Sequence, residues 1–506
     1  MENDWERVKE QLFTPSIKDK RITSSSSSGT LSAQMTPLNK SRGGVPLIGG
    51  TSGSGIYPTL QIKAMDNKMI KFSRVIKTLN EQNRQHLQFP LISSFYNLIQ
   101  NSSEEREIRK TEELLDCCEL IRNMLHEEDN TLTKGIYYNK YLANSKELKR
   151  EFIKGAKYFL EQQYLRMMKG QVSSNLRRAN LGPIPSFKNL VKAYLQIKFN
   201  DSLPNEIEII DNIPFWPTIY YSIRCGQWDT ALDIVRNISD TRLHTFAVYL
   251  NEYISNEGRL QEQRWSDVIR EYKLYMSTSR GNADPFKLLV FNILGKCDVS
   301  KSFATICNTT QDFIWLKLTM ISESEDPIPP GFTSNDYSLS KLQNLLIEYG
   351  PDHFTKSGKN PLLYFQVLLM SQQFEKAIEY LCSVDGFTVE SLHFAICLYY
   401  YGVLRPINSD LSTSIVFDFV RLLRNYVVQF SATDPITALN YYCVLHDVPS
   451  TLKSPIEGVT LRDQCIKDLL LECKDNNNSG LLGADFQVLY KILHFINLIN
   501  KDWSNS

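Results

Sequence analysis

The 506-residue sequence has no run of the roughly 18 apolar residues that a membrane-spanning helix needs. The nearest stretch, "LHFAICLYYYGVL" (Leu392–Leu404), is too short and carries His393. The opening "MENDWERVKEQLF" has no apolar segment of the kind a secretory signal requires. A soluble protein of the cytosol or nucleus is expected. Charge bias is missing as well. Lys+Arg and Asp+Glu both number 56, so no global field steers the chain to nucleic acid or an anionic membrane. The ten cysteines form no C-x-x-C, and no Cys/His spacing fits zinc. Most lie in apolar runs such as "FAICLYYY" and read as reduced core thiols. None of the seven histidines sits in H-E-x-x-H, and no G-x-S-x-G elbow occurs. The sequence therefore implies no cofactor, no metal and no catalytic residue.

What is present is a folded-protein composition, 42% apolar and 22% charged. Residues 1–59 differ. After "DWERVKEQL" comes "RITSSSSSGTLSAQMTPLNKSRGGVPLIGGTSGSGIYP", with too few apolar side chains to offset the entropy of ordering. This part is expected to be a disordered Ser/Gly/Pro-rich tail, with a helical domain over 60–506. The "GGTSGSG" within it is not a phosphate loop, because no Gly-Lys-Ser/Thr comes after it. The tail also holds Thr14-Pro15 and Thr36-Pro37, the minimal pattern for proline-directed kinases. A phosphate on Thr14 or Thr36 would add about −1.5 to −2 charge.

Beyond residue 60 the periodicity is helical. "SEEREIRKTEELLDCCELIRNML" (Ser103–Leu125) spaces Ile108, Leu114, Leu115, Cys118 and Ile121 as one helix face. Asn144–Gly170 reads as a long helix ending at Gly170, and Ser186–Phe199 as another. Three later helices are expected to open with a capping Asp or Asn followed by Pro: Asp284-Pro285, Asn360-Pro361 and Asp434-Pro435. Pro361–Met370 and Ser391–Gly402 are apolar almost all round, which demands cover on several sides.

The stretch "PFWPTIYYSIRCGQWDTALDIV" (Pro214–Val235) mixes Trp, Tyr, Arg and Cys with Gly and Ala. It reads as a helix hairpin. Pro217–Cys225 is one helix, and Gly226 can take the left-handed conformation beyond its end. Trp228 closes the turn, Asp229 lies at the positive start of the next helix, and Ala231 lets the two helices approach. "WDTALDIV" aligns without gaps with "FEKAIEYL", which pairs Trp228 with Phe374 and Ala231 with Ala377. "TDPITALNYY" (Thr433–Tyr442) is a looser third copy. Degenerate hairpins at irregular spacing point to an all-α, irregular α-solenoid.

These residues carry a resemblance. Trp216, Tyr220, Arg224 and Gly226 fall in a W-x-x-I-Y-Y-x-x-R-x-G segment that resembles the nucleoporin-interacting-component family, the linker scaffold nucleoporins of the nuclear pore inner ring. Four further blocks agree in order: Asp284–Ser300, Thr310–Leu318, Tyr349–Leu381 and Phe419–Asp447. The match covers roughly residues 60–475. It implies a J-shaped, fold-back helical scaffold of the ancestral coatomer type, with a structural role at the nuclear envelope and with other inner-ring scaffold nucleoporins as partners. Family members usually begin with a coiled coil that binds channel nucleoporins. No heptads precede residue 60 here, so the sequence does not support that contact. Members also continue with further helices, whereas this sequence ends at "LYKILHFINLINKDWSNS", as expected of a short paralogue, a divergent form or a truncated gene model.

Two competing readings remain. One is an α-solenoid adaptor elsewhere, such as a vesicle coat or the proteasome lid. The other is an enzyme or RNA-binding protein on a helical scaffold. For RNA, Lys146–Arg178 holds nine Lys/Arg against three Glu, with Tyr158, Phe159 and Tyr164 among them. Those aromatics lie at a spacing suited to core, so a solvated helix face or a protein partner is the expectation, without direct nucleic-acid binding. His393 is expected as a satisfied core histidine, and His353 in "GPDHF" as a capping or packing residue.

Overall fold

Asp284, Asn360 and Asp434 each place a side-chain oxygen on the free N–H groups of the helix they open. Asp284 accepts from Phe286 N at 2.8 Å, Asn360 from Leu363 N at 3.3 Å, and Asp434 from Thr437 N at 3.0 Å. Pro occupies the first turn of all three helices, where no N–H is needed. Such local devices recur along the described residues, most of which are helical.

The computed structural model describes residues 65–102, 107–127, 134–179, 186–199, 202–279, 281–322, 337–355, 358–404, 418–445 and 461–477. The chain divides between Pro58 and Thr59, and every described residue belongs to the second part. The expected tail, with Thr14 and Thr36, lies outside the described residues. The helices are α1 (Asn67–Arg84), α2 (Leu91–Gln100), α3 (Ile108–Leu125), α4 (Tyr138–Leu142), α5 (Lys146–Ser174), α6 (Leu176–Ala179), α7 (Phe187–Phe199), α8 (Phe215–Arg224), α9 (Trp228–Arg236), α10 (His244–Ser255), α11 (Glu262–Thr278), α12 (Pro285–Gly295), α13 (Thr310–Met320), α14 (Leu339–Thr355), α15 (Pro361–Met370), α16 (Phe374–Cys382), α17 (Thr388–Tyr401), α18 (Phe419–Val427), α19 (Pro435–Tyr442) and α20 (Leu461–Asn477). Just before α8, β1 (Ile209–Ile210) and β2 (Ile213–Pro214) pair antiparallel. Their turn is Asp211-Asn212, both at positive φ, as a two-residue hairpin requires.

Helices adjacent in sequence stack on one another, and then the chain returns. Helix α13 packs on α5, α15 on α3 and α5, and α19 on α1. This is the all-α, irregular solenoid expected from the repeats, folded back so that late helices cover early ones. Helices α15 and α17 are buried on every side, as their apolar circumference demands.

Helix α5 is the long element of the fold, 29 residues, or about 44 Å at 1.5 Å per residue. It does not stop at Gly170. The chain stays helical there and ends at Ser174, because Gly170 is not in the left-handed region that a glycine stop uses. Gly155 lets α5 cross α3 closely. A Cβ at Gly155 would lie 2.4 Å from the carbonyl oxygen of Asn123 and 2.6 Å from Met124 Cα.

Other expectations shift in detail. In α3, Leu114, Cys118 and Ile121 are core, but Ile108 is exposed and Leu115 only half-buried. The third hairpin copy has no positive φ between Val428 and Asp434, so it joins its preceding helix by a different turn. Helix α14 kinks at Gly350, where φ is 67° and ψ 176°. Beyond the kink, the ring of His353 packs 4.8 Å from those of Tyr349 and Phe354.

Candidate functional site: two hairpin tips on one long helix

The hairpin α8–α9 ends in a Schellman turn. Gly226 sits at φ 73°, its N–H donates to Ile223 O at 2.9 Å, and Gln227 N–H donates to Ser222 O at 2.9 Å. The hairpin α15–α16 repeats this turn bond for bond. Gln372 N donates to Leu369 O at 2.8 Å and Gln373 N to Leu368 O at 2.9 Å, with Gln372 itself at φ 60°. Both tips rest on α5. A Cβ at Gly226 would come within 2.7 Å of Glu161 Oε2, whereas the Gln372 amide donates to Lys149 O at 2.9 Å. Those two α5 positions are twelve residues apart, about 18 Å along the helix.

Arg224 lies at the base of the first tip and is 1% exposed. Its Nε donates to Asp312 Oδ1 at 2.9 Å and its Nη1 to Leu160 O at 2.9 Å. The guanidinium also stands 4.4 Å over the Tyr164 ring and 5.1 Å over Trp315. Burial works against its charge, but the Asp312 carboxylate raises its pKa above the ordinary value. Asp312 is fixed at the start of α13 by the N-cap residue Thr309. Thr309 Oγ1 accepts from Asp312 N at 3.1 Å and donates to Asp312 Oδ2 at 2.8 Å. Glu161 accepts from Trp315 Nε1 at 3.1 Å, and burial pushes its carboxyl pKa up.

At the other end of α8, Trp216 is fully buried and donates from Nε1 to Glu208 at 2.6 Å. Glu208 also accepts from Tyr275 Oη at 3.0 Å and Lys287 Nζ at 3.0 Å. Burial opposes its charge, yet these donors hold its carboxyl below the usual range. Between the two clusters Tyr220 is buried, 3.6 Å from Cys307 Sγ and in ring contact with Phe286 and Trp315. Trp228 is half-buried and stacks on Tyr253 at 5.3 Å. Ala231 and Ala377 are fully buried, and Phe374 packs between Tyr141 and Phe152. The structure thus places Trp216, Tyr220 and Arg224 along one helix, Gly226 at its tip, and Trp228 and Ala231 on the next helix. Phe374 and Ala377 occupy the equivalent places on the second hairpin.

Sequence reading missed the acidic partners Glu161, Glu208 and Asp312. Only Asp312 carried a local signal, the Thr309-x-x-Asp312 spacing of a helix start. Gln372 was hidden because glutamine rarely marks a left-handed turn.

Elsewhere, polar groups are likewise tied between helices. His393 Nδ1 donates to Val389 O at 2.6 Å, so Nε2 accepts from Tyr441 Oη at 2.9 Å. Glu127 accepts from the N–H groups of Ile92 and Ser93 and from Tyr401 Oη. On the basic stretch Arg166 pairs with Glu119 and Asp116, and Lys154 with Glu257 and Glu151. Phe159 and Tyr164 are buried there, but Tyr158 is half-exposed, one residue and so about 100° round the helix from Phe159. Among the described residues no helix is long and apolar enough to cross a membrane, and no group of three or more His, Cys, Asp or Glu could hold a metal ion. Nine of the ten cysteines are free thiols, and most of these are buried.

Charged and aromatic side chains spent on joining helical layers define the class: an irregular, folded-back α-solenoid. The sequence matches the Nup93/Nic96 family over residues 112–486, and the chain belongs to that family. It is 29% identical over 429 residues to the zebrafish (Danio rerio) nuclear pore complex protein Nup93, covering 81% of this chain and 49% of that protein. It is 24% identical over 424 residues to nucleoporin NIC96 of Saccharomyces cerevisiae, covering 81% of this chain and 45% of the other. The chain therefore spans about half the length of the curated relatives it matches. A crystal structure of Chaetomium thermophilum Nic96 SOL shares the fold with a TM-score of 0.65 at 24% identity, covering 74% of this chain and 56% of that one.

Proposed function

We propose that this protein is a structural constituent of the nuclear pore complex, an inner-ring scaffold nucleoporin at the nuclear envelope that supports pore assembly and nucleocytoplasmic transport. The observation that carries the reading is family membership over residues 112–486, on a fold shared with Nic96 SOL. The geometry supports a non-catalytic role. Arg224, Asp312, Glu161 and Glu208, which could serve chemistry in an open cleft, are committed to each other and to backbone or indole partners. In this reading Trp216, Tyr220, Arg224, Gly226, Trp228, Ala231, Phe374 and Ala377 are packing residues of two equivalent hairpins. The partners are other scaffold nucleoporins.

The test is to tag the endogenous chain, image it and identify what co-purifies. A nuclear rim pattern with inner-ring nucleoporins is expected. A vesicular or proteasomal pattern, with coat or lid subunits in the eluate, would overturn the reading. Thr14 and Thr36 are proposed as phosphorylation sites that loosen pore residence in mitosis. Alanine at both positions should prolong residence. Unchanged residence with no phosphate on either threonine would reject that proposal.

A further inference from the structure

One turn of α5 receives the chain from two directions. The Leu160 carbonyl accepts from Arg224 of α8, and the Glu161 carboxylate accepts from Trp315 of α13 while lying against Gly226 at the tip of α8–α9. Arg224 and Asp312 close the ring directly between the outgoing and returning segments. Leu160, Glu161, Arg224, Asp312 and Trp315 are all less than a tenth exposed, so none of these groups has water as a substitute partner. Contacts that bring residues 154 and 88 positions apart to one helical turn also bring together segments with no sequence adjacency.

We infer that this turn is a coupling node, a conformational device that makes the hairpin α8–α9 and the helix α13 open together rather than separately. Opening of α8–α9 leaves the Asp312 carboxylate without Arg224, and opening of α13 leaves the Arg224 guanidinium without Asp312 and Glu161 without the Trp315 indole; a buried charge that loses its partner costs more than a lost neutral contact. Proteins open in cooperative units, and the node puts two remote segments into one unit. The inference rests on this geometry and not on the pore reading.

The test is hydrogen exchange of the full chain, followed in residues 215–236 and 310–320. Trp315→Phe removes the indole N–H while keeping an aromatic ring. Protection should fall about tenfold in both segments, the equivalent of one buried acceptor left unsatisfied. Gly226→Ala acts from the other side by pushing on Glu161, and it should raise exchange in 310–320 as well as at its own tip. Phe430→Leu is the control. Phe430 packs on Tyr426 and Tyr441, in neither segment and away from the node, so its effect should stay out of both 215–236 and 310–320. The inference fails if Trp315→Phe and Gly226→Ala each act only on their own segment. It fails equally if Phe430→Leu reaches both segments as strongly as they do.

Discussion

The same substitution at two places on α5 should change stability in opposite directions. Gly→Ala in a helix interior gains about 0.5–1 kcal/mol, because glycine loses more backbone entropy on folding. At Gly170 nothing lies within 4 Å of the new Cβ, so Gly170→Ala should keep that gain. At Gly155 the new Cβ would meet the Asn123 carbonyl oxygen at 2.4 Å and Met124 Cα at 2.6 Å. Carbon–oxygen contacts normally sit at about 3.3–3.6 Å, so α3 and α5 must part by about 1 Å. Both clashing atoms are backbone, so no side-chain rotation relieves them. Overpacking of this kind costs about 1–3 kcal/mol, which exceeds the helix gain. Gly155→Ala should therefore destabilise by about 1–2 kcal/mol net. Urea unfolding followed by far-UV circular dichroism reads both, because a shift in midpoint at constant slope reports stability alone. If the two variants move the midpoint in the same direction, the close crossing of α3 and α5 is wrong.

Arg224→Met keeps the bulk but leaves Asp312 buried without its cation. The loss should be about 3–5 kcal/mol, partly restored by adding Asp312→Asn, and a double-mutant cycle in urea checks this. Gly226→Ala should cost about 1 kcal/mol or more from its left-handed backbone. Gln372→Gly should be near neutral, since it relieves the same strain but loses the bond to Lys149 O; thermal unfolding of the pair distinguishes the two. His393 is held neutral, its pKa lowered to about 3 by burial. The unfolded chain takes up a proton near 6.5 and the folded one does not, so stability is full above that pH and falls as pH drops towards 3. That amounts to about 2 kcal/mol between pH 8 and 5, at 1.36 kcal/mol per unit. His393→Phe should flatten this part of the pH profile. A slope identical to wild type would show that the histidine titrates normally.

Local grammar was legible in the sequence, and its long-range partners were not. The capped prolines at 285, 361 and 435, the glycine turn at 226 and the buried circumference of α15 and α17 come from rules spanning a few residues. The hairpin repeat could be read because Ala231 and Ala377 are both fully buried and Trp228 and Phe374 each pack on an aromatic ring of another helix. Helix α5 was misjudged at its end, because Gly170 looks like a stop only if its backbone turns left-handed. Here Gln171–Ser174 continue the helix instead, and the backbone of Gly170 goes with them. Glu161 was illegible for a stronger reason. Its partners lie 65 and 154 residues away, at Gly226 and Trp315, and nothing near it distinguishes it from a solvated glutamate. The β-hairpin at Ile209–Pro214 is only two residues per strand, too short for alternation to register.

The contact between Asn80 and the carbonyl of Asn440 spans 360 residues. During synthesis at about 5–20 residues per second, α1 leaves the ribosome tens of seconds before α19 exists to receive it. Until then its inward face, Met69, Phe72, Ile76 and Leu79, lacks the cover that α17 and α19 later supply. Helix α5 meets the opposite schedule: α3 precedes it, and the first hairpin arrives within about seventy residues. On this order of synthesis α5 can be covered early, whereas α1 waits for α17 and α19. For that interval α1 is a natural client for chaperones, and a pause in translation before residue 435 would lengthen its exposure.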